Sequence, residues 1–263
     1  MSERGDIPAR ERAFWDEHVP SLEECLRELD ARPDPNTEAM FDAVEPLRGL
    51  RALDFACGAG ITAARLAQRG AIVTGIDISS VSIERGRELA EHAGLSIEFI
   101  VGELTRATFP PRSFDVVVGH WALHHVDLAK IAPILGDILV PGGRCAFVET
   151  MGLNPLLNFS RRRVAGHAGV AVYGSEDERP LDRAALDLLA ANIGSLDLVV
   201  RDMQFLRIFD RNVLRYRRPT VSRVLGAVDD WLLRFGLGIL SYHQVVTLIR
   251  ARSTDDRKTS PTF

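Results

Sequence analysis

The sequence predicts an α/β fold, a doubly wound parallel sheet, and two observations carry that reading. From Arg51 to about Glu149, strand-like apolar runs alternate with helix-like segments. Within one sheet this forces parallel strands joined by right-handed crossovers. At residues 52–60, Ala-Leu-Asp-Phe-Ala-Cys-Gly-Ala-Gly, the first run stops in a small-residue turn. Leu53 and Phe55 give the strand pattern, Gly58 and Gly60 remove the Cβ atoms that would hold a ligand off the backbone, and Ile61 to Arg69 reads as a helix ended by Gly70.

Strand, glycine turn and helix start together suit a nucleotide-like ligand. A second apolar run, Ile72 to Ile76, ends in Asp77, a carboxylate placed to accept from both hydroxyls of a ribose. The turn lacks the third glycine of a dinucleotide fingerprint, having Ala63 there, and Asp54 stands before it, where an acid would repel a pyrophosphate and attract a cation. An NAD oxidoreductase is disfavoured on both counts. The segment Asp54 to Gly60 resembles the first motif, Asp-x-x-x-Gly-x-Gly, of the class I methyltransferases that use S-adenosylmethionine (SAM). The resemblance continues in order through Gly75-Ile-Asp77-Ile-Ser79, Val101-Gly-Glu103-Leu104, Phe114 to His120, and Leu139-Val-Pro-Gly-Gly-Arg144. It implies SAM as cofactor, with S-adenosylhomocysteine as product, contacted by Asp54, Ala56, Gly58, Gly60, Asp77, Ile78, Glu103, Leu104 and His120. It also implies a Rossmann-like sheet of seven strands with strand 7 antiparallel and helical insertions around strand 6.

Taken in order, the elements are signposted. Ser79 or Ser80 caps the helix that ends before Gly94, and Ile97 to Val101 makes the third strand. Glu103 then lies at a strand end, where it can accept from the exocyclic amine of an adenine that Leu104 flanks. After Pro110 and Pro111, Phe114 begins the fourth strand, and Gly119 to Asp127 leads into a helix capped by Asp127. That loop holds His120, Trp121, His124 and His125. Adjacent His124 and His125 point in different directions, so at most one faces a substrate, and packing competes with catalysis for each. The fifth strand, Arg144 to Val148, ends at Glu149, a further candidate base beside His124 and His125. Asp182, with Leu181 and Leu186 as a hydrophobic staple and Gly194 as stop, marks another helix. Leu196 to Leu206 reads as the sixth strand and Gly238 to Ile249 as the last.

Three stretches lie outside this core pattern. Residues 1–50 show helix-like spacing of Phe14, Trp15, Val19, Leu22, Leu26 and Leu29, broken by Pro33 and Pro35, and in similar enzymes such a leader forms a lid. Residues 151–180 and 207–236 are insertions expected to cap the acceptor, the domain itself running over 51–252 with a disordered tail at 253–263. Trp15, Trp121, Arg161 and Tyr173 are the candidate acceptor contacts. In the second insertion, Val224, Leu225, Val228, Trp231, Leu232 and Phe235 recur at helical spacing, for which core packing is the first expectation and a pocket wall, a homodimer contact or a lipid surface the others. Asp229, Asp230 and Arg234 exclude a membrane span there.

A net charge of −4 gives no bulk attraction to nucleic acid or anionic membrane. Cys25, Cys57 and Cys145 have no metal-ligand spacing, so no metal is expected; without an apolar leader they fit a reducing cytoplasm. Cys57 reads as a small turn residue rather than a nucleophile. The expected function is methyl transfer from SAM to an O, N or C nucleophile of a small biosynthetic metabolite with an anionic or lipophilic part. The alternatives are non-methylating chemistry on the same fold and a SAM-binding regulatory module without turnover.

Overall fold

The computed structural model describes residues 7–107, 109–163 and 179–251. Its centre is one seven-stranded sheet made of β1 (Arg51–Phe55), β2 (Ile72–Asp77), β3 (Ile97–Val101), β4 (Phe114–His120), β5 (Leu139–Thr150), β6 (Gly194–Val199) and β7 (His243–Arg250), in the order β3-β2-β1-β4-β5-β7-β6. Strands β1 to β5 are mutually parallel, and β7 runs antiparallel to both β5 and β6. The sheet expected from the resemblance is therefore present. The strand order reverses between β1 and β4, which opens a crevice at their carboxyl ends.

Alternation along the strands builds two cores. Val117, Leu53 and Phe55 face one side, against α6 (Leu128–Ile138) and α8 (Arg183–Ile193), through Ile131, Leu135 and Leu189. Val116, Val118 and Ala52 face the other, against α3 (Pro35–Val44), α4 (Ile61–Gln68) and α5 (Ser80–His92), through Phe41, Leu66 and Ile83. The caps expected from the sequence hold: Ser79 accepts from Ser82 N, Asp127 from Ala129 N and Asp182 from Ala185 N, while Leu181 and Leu186 meet in the first core.

Four expectations are corrected. The leader holds three helices, α1 (Ile7–Glu17), α2 (Leu22–Asp30) and α3, because Pro35 opens a helix as its first residue, with Asp34 as cap, instead of only breaking one. The sixth strand stops at Val199, since the Asn36 side chain draws the Arg201 and Asp202 amides out of the ladder. The last strand starts at His243, after a single 3₁₀ turn over Gly238–Leu240. The second insertion folds as a short α9 (Leu206–Phe209), a π-type turn, and α10 (Pro219–Arg234), whose buried residues are Gly226 and Asp229. Its apolar stripe does not pack into the core: Val224, Val228, Trp231 and Phe235 are exposed, and Leu225 and Leu232 only half-buried. The first insertion contributes α7 (Pro155–Arg163), and Tyr173 lies outside the described residues, as does the expected tail.

Candidate functional site

The glycine turn after β1 is built as its composition requires. Ala56, Gly58 and Gly60 all have left-handed φ, at 54°, 50° and 77°. A Cβ on Gly60 would sit 2.8 Å from the Phe99 ring, whereas one on Gly58 would meet nothing within 4 Å, so the turn is open at Gly58. Cys57 is buried beneath the turn, and burial, with Asp54 and Asp77 adding, pushes its thiol well above the ordinary range. It is no nucleophile.

Two acids frame the turn. Asp54 is 1% exposed and neither of its carboxylate oxygens has a hydrogen-bond partner. Burial pushes its carboxyl well above the usual range; the Ala63 amide dipole opposes this and the Asp77 charge adds to it. Such a group lacks a donor, and a cationic ammonium, directly or through water, would supply one. Asp77 takes the Gly58 amide on Oδ2 and the Ser79 amide on Oδ1, both at 2.8 Å. Each oxygen keeps a lone pair for a hydroxyl. Burial raises its carboxyl too, against the pull of the Ser79, Gly58 and Ile78 amides and with Asp16 adding. Ile78 is half-buried beside it. Leu104 is buried, and Glu103, two residues past β3, pairs with Arg106 at 3.2 Å. The residues present fit an adenosyl group carrying a cationic amino-acid end: acceptors for both parts, and a turn without obstructing side chains.

At the ends of β4 and β5 the histidines separate by role. His124 and Glu149 are nearly or wholly buried, with Nδ1 2.6 Å from Oε2, while Oε1 of Glu149 accepts from the Ala122 and Leu123 amides at 3.0 and 2.7 Å. Glu149 is thus fully engaged in holding the loop and the imidazole. A carboxylate on Nδ1 fixes the proton there and leaves Nε2 with its lone pair. The His124 and His125 rings do not point apart as expected but pack at 4.2 Å, and His125 also reaches α1, its Nδ1 3.3 Å from Glu11 and its ring edge-on to Trp15 at 5.5 Å. Trp15 in turn donates to Glu11, and Asp16 accepts from Ser79 Oγ, so α1 lies across the turn that holds Asp77. Trp121 has a left-handed φ of 57° and stands 48% exposed at the crevice mouth, 5.6 Å from the ring of His243. Strain in a non-glycine residue at such a place is typical of functional loops.

Sequence reasoning named His120 and Arg161 but missed Thr37, Asp34 and His243. His120 Nε2 lies 3.0 Å from Thr37 Oγ1, which also bonds Asp34, so α3 braces the end of β4. Burial lowers the His120 pKa, with Asp34 and Glu149 opposing. Bonds from Thr37 and Asn36 hold Asp34 low despite burial. His243, paired with Thr150 in the sheet and bonded to Gln204, is pushed down to about 3 by burial, with the Arg211 charge and the other histidines adding. Its signal was available: an antiparallel last strand puts its first residue beside the carboxyl end of β5. Arg161 donates from Nη1 to Met151 O and Asn158 Oδ1 and stacks on Tyr242 at 4.5 Å, while Nη2 is buried with no partner among the described residues. No cluster of three metal-ligating side chains occurs among the described residues.

Residues 52–143 match the family model of a methyltransferase domain. The chain is 37% identical over 112 residues to an uncharacterized methyltransferase of Mycobacterium tuberculosis strain H37Rv, covering 42% of this chain and 56% of the relative. It is 41% identical over 102 residues to the ubiquinone biosynthesis O-methyltransferase of Methylocella silvestris, covering 38% and 40%. The chain thus spans about half the length of the curated relatives it matches. Among solved structures, geranyl diphosphate C-methyltransferase from Streptomyces coelicolor superposes with a TM-score of 0.63 at 13% identity, over 96% of this chain and 100% of that one.

Proposed function

We propose that the chain is a class I SAM-dependent methyltransferase that transfers a methyl group from SAM to an O, N or C nucleophile of a small molecule with a lipophilic body. The observation that carries this reading is the unpartnered Asp54 beside Asp77, across a glycine turn that is open at Gly58. When bound, SAM supplies an electrophilic methyl carbon on sulfur, and that bond breaks as the acceptor's lone pair forms the new one. Asp54 would meet the ammonium, Asp77 the ribose, and Glu103 with Leu104 the adenine. His120, braced by Thr37, and Trp121 would line the path to the acceptor.

The chain's own part is to align the acceptor and to exclude water. Helix α1, through Trp15 and Glu11 on His125, would act as lid. For a hydroxyl or protonated amine acceptor, His124 Nε2 would take the proton, Glu149 stabilising the imidazolium so formed. Arg161 Nη2 would meet an anionic group where the acceptor carries one. The relative in ubiquinone biosynthesis supports a lipophilic acceptor.

Calorimetry with SAM and S-adenosylhomocysteine tests the cofactor. Micromolar binding that Asp77→Ala weakens by roughly 1–3 kcal/mol is expected. Absence of binding by either ligand would sink the proposal. With an acceptor in hand, His124→Ala should lower kcat by roughly 10²–10⁴ while leaving SAM affinity intact. An unchanged kcat would reassign the dyad to support of the loop.

A further inference from the structure

Helix α10 is amphipathic in the inverted sense. Its wholly buried side chain is an acid: Asp229 accepts from the Phe205, Leu206 and Arg207 amides at 2.9–3.2 Å, closing the open start of α9. Its neighbour Asp230 takes Arg207 at 2.8 Å. The outward face carries Val224, Val228, Trp231 and Phe235, of which Trp231 is 54% and Phe235 66% exposed. Leu237 and Ile239 extend that apolar surface past the helix end. A soluble helix with a free outer face ordinarily turns its apolar stripe inward.

Charge separates the possible occupants of this face. Residues 207–240 hold seven arginines against three aspartates, in a chain whose net charge is −4. The aspartates are Asp210, Asp229 and Asp230, the first two buried and the third engaged by Arg207. Arg217, Arg218, Arg223 and Arg234 are exposed around the stripe. A second copy docking through a two-fold axis would set this positive surface against itself. An anionic headgroup layer matches it, with the tryptophan and phenylalanine rings reaching the acyl boundary. The face is also joined to the site: Leu240 O accepts from Asn154, which opens α7, and Ile239 O from Gln244, next to His243. No described helix is long and apolar enough to cross a membrane, so docking on the surface is the available mode.

We propose that α10 is a peripheral anchor that seats the protein on a bilayer containing anionic phospholipid. The anchor does not depend on methyl transfer, although it suits an enzyme whose acceptor resides in lipid. The test is co-sedimentation of the full chain with vesicles of phosphatidylcholine alone and of phosphatidylcholine with phosphatidylglycerol, at low and high salt. Binding is expected only to the anionic vesicles, weakened by salt. The double variants Trp231→Glu/Phe235→Glu and Arg217→Glu/Arg218→Glu should each lower partitioning at least roughly tenfold, as expected for removal of exposed apolar and basic contacts. All four side chains are exposed, so both variants should keep the wild-type circular dichroism and melting temperature. Equal binding to both vesicle types, no binding to either, or indifference to both double variants would overturn the proposal. So would a dimer, seen by sedimentation equilibrium, that Trp231→Glu dissociates without any vesicle binding.

Discussion

Asp54 is an acid kept where folding disfavours its charge, and that has a measurable sign. Its folded carboxyl is raised above the unfolded value, chiefly by burial, as is that of Asp77. Such a group favours the folded state most below the unfolded carboxylate pKa, and that contribution is lost as pH rises through the folded value. Asp54→Asn, which cannot ionise, should therefore melt higher than wild type at about pH 8 without ligand, the gain shrinking towards about pH 4. Scanning calorimetry across that range checks it; a pH-independent difference would mean that the charge is not the cause. The same variant should bind SAM more weakly, the acid being the acceptor set aside for the ligand's cation. At this scale Asp54, Gly58, Gly60 and Asp77 were legible because their chemistry depends on strand-end position, which alternation and glycine spacing reveal. Asp34, Thr37 and Glu11 were not: they reach the site only through the packing of helices whose docking no local pattern states.

The two helices around the last turn of the chain show how an element hides its purpose from a hydropathy pattern. The spacing of Val224, Val228, Trp231 and Phe235 identified a helix correctly and its buried face wrongly, because Asp229 satisfies three amides of α9 and so turns the acid inward. Asp229→Ala should leave those amides buried without an acceptor and lower stability by roughly 1–3 kcal/mol in urea unfolding. Asp229→Asn, which keeps one carbonyl oxygen, should lose less. If both were neutral, α10 would be held by contacts other than this cap. Elsewhere elements were read well wherever caps were local: Ser79, Asp127 and Asp182 each bind an amide within three residues, so sequence proximity suffices. The early end of β6 depends on Asn36, more than 150 residues away in the chain, and no window could have seen it.

Across the whole molecule, the doubly wound order was legible because crossovers of one hand leave few alternatives once strands and helices alternate. The crevice at the β1/β4 reversal then follows, and with it the side of the sheet on which Asp77, His120 and Glu149 all appear. The position of β7 carries a further consequence, for the order in which the molecule is assembled during synthesis. Among the described residues β6 pairs only with β7, which is inserted between it and β5. While the ribosome is still making residues 200–242, β6 has no ladder to join, and α10 emerges before Gln244 of β7 can hold the turn that follows it at Ile239 O. A nascent chain halted before His243 should therefore expose β6 and α10 together to a protease while β1 to β4 resist. Release of the remaining residues should protect both in one step, β7 filling the place between β5 and β6.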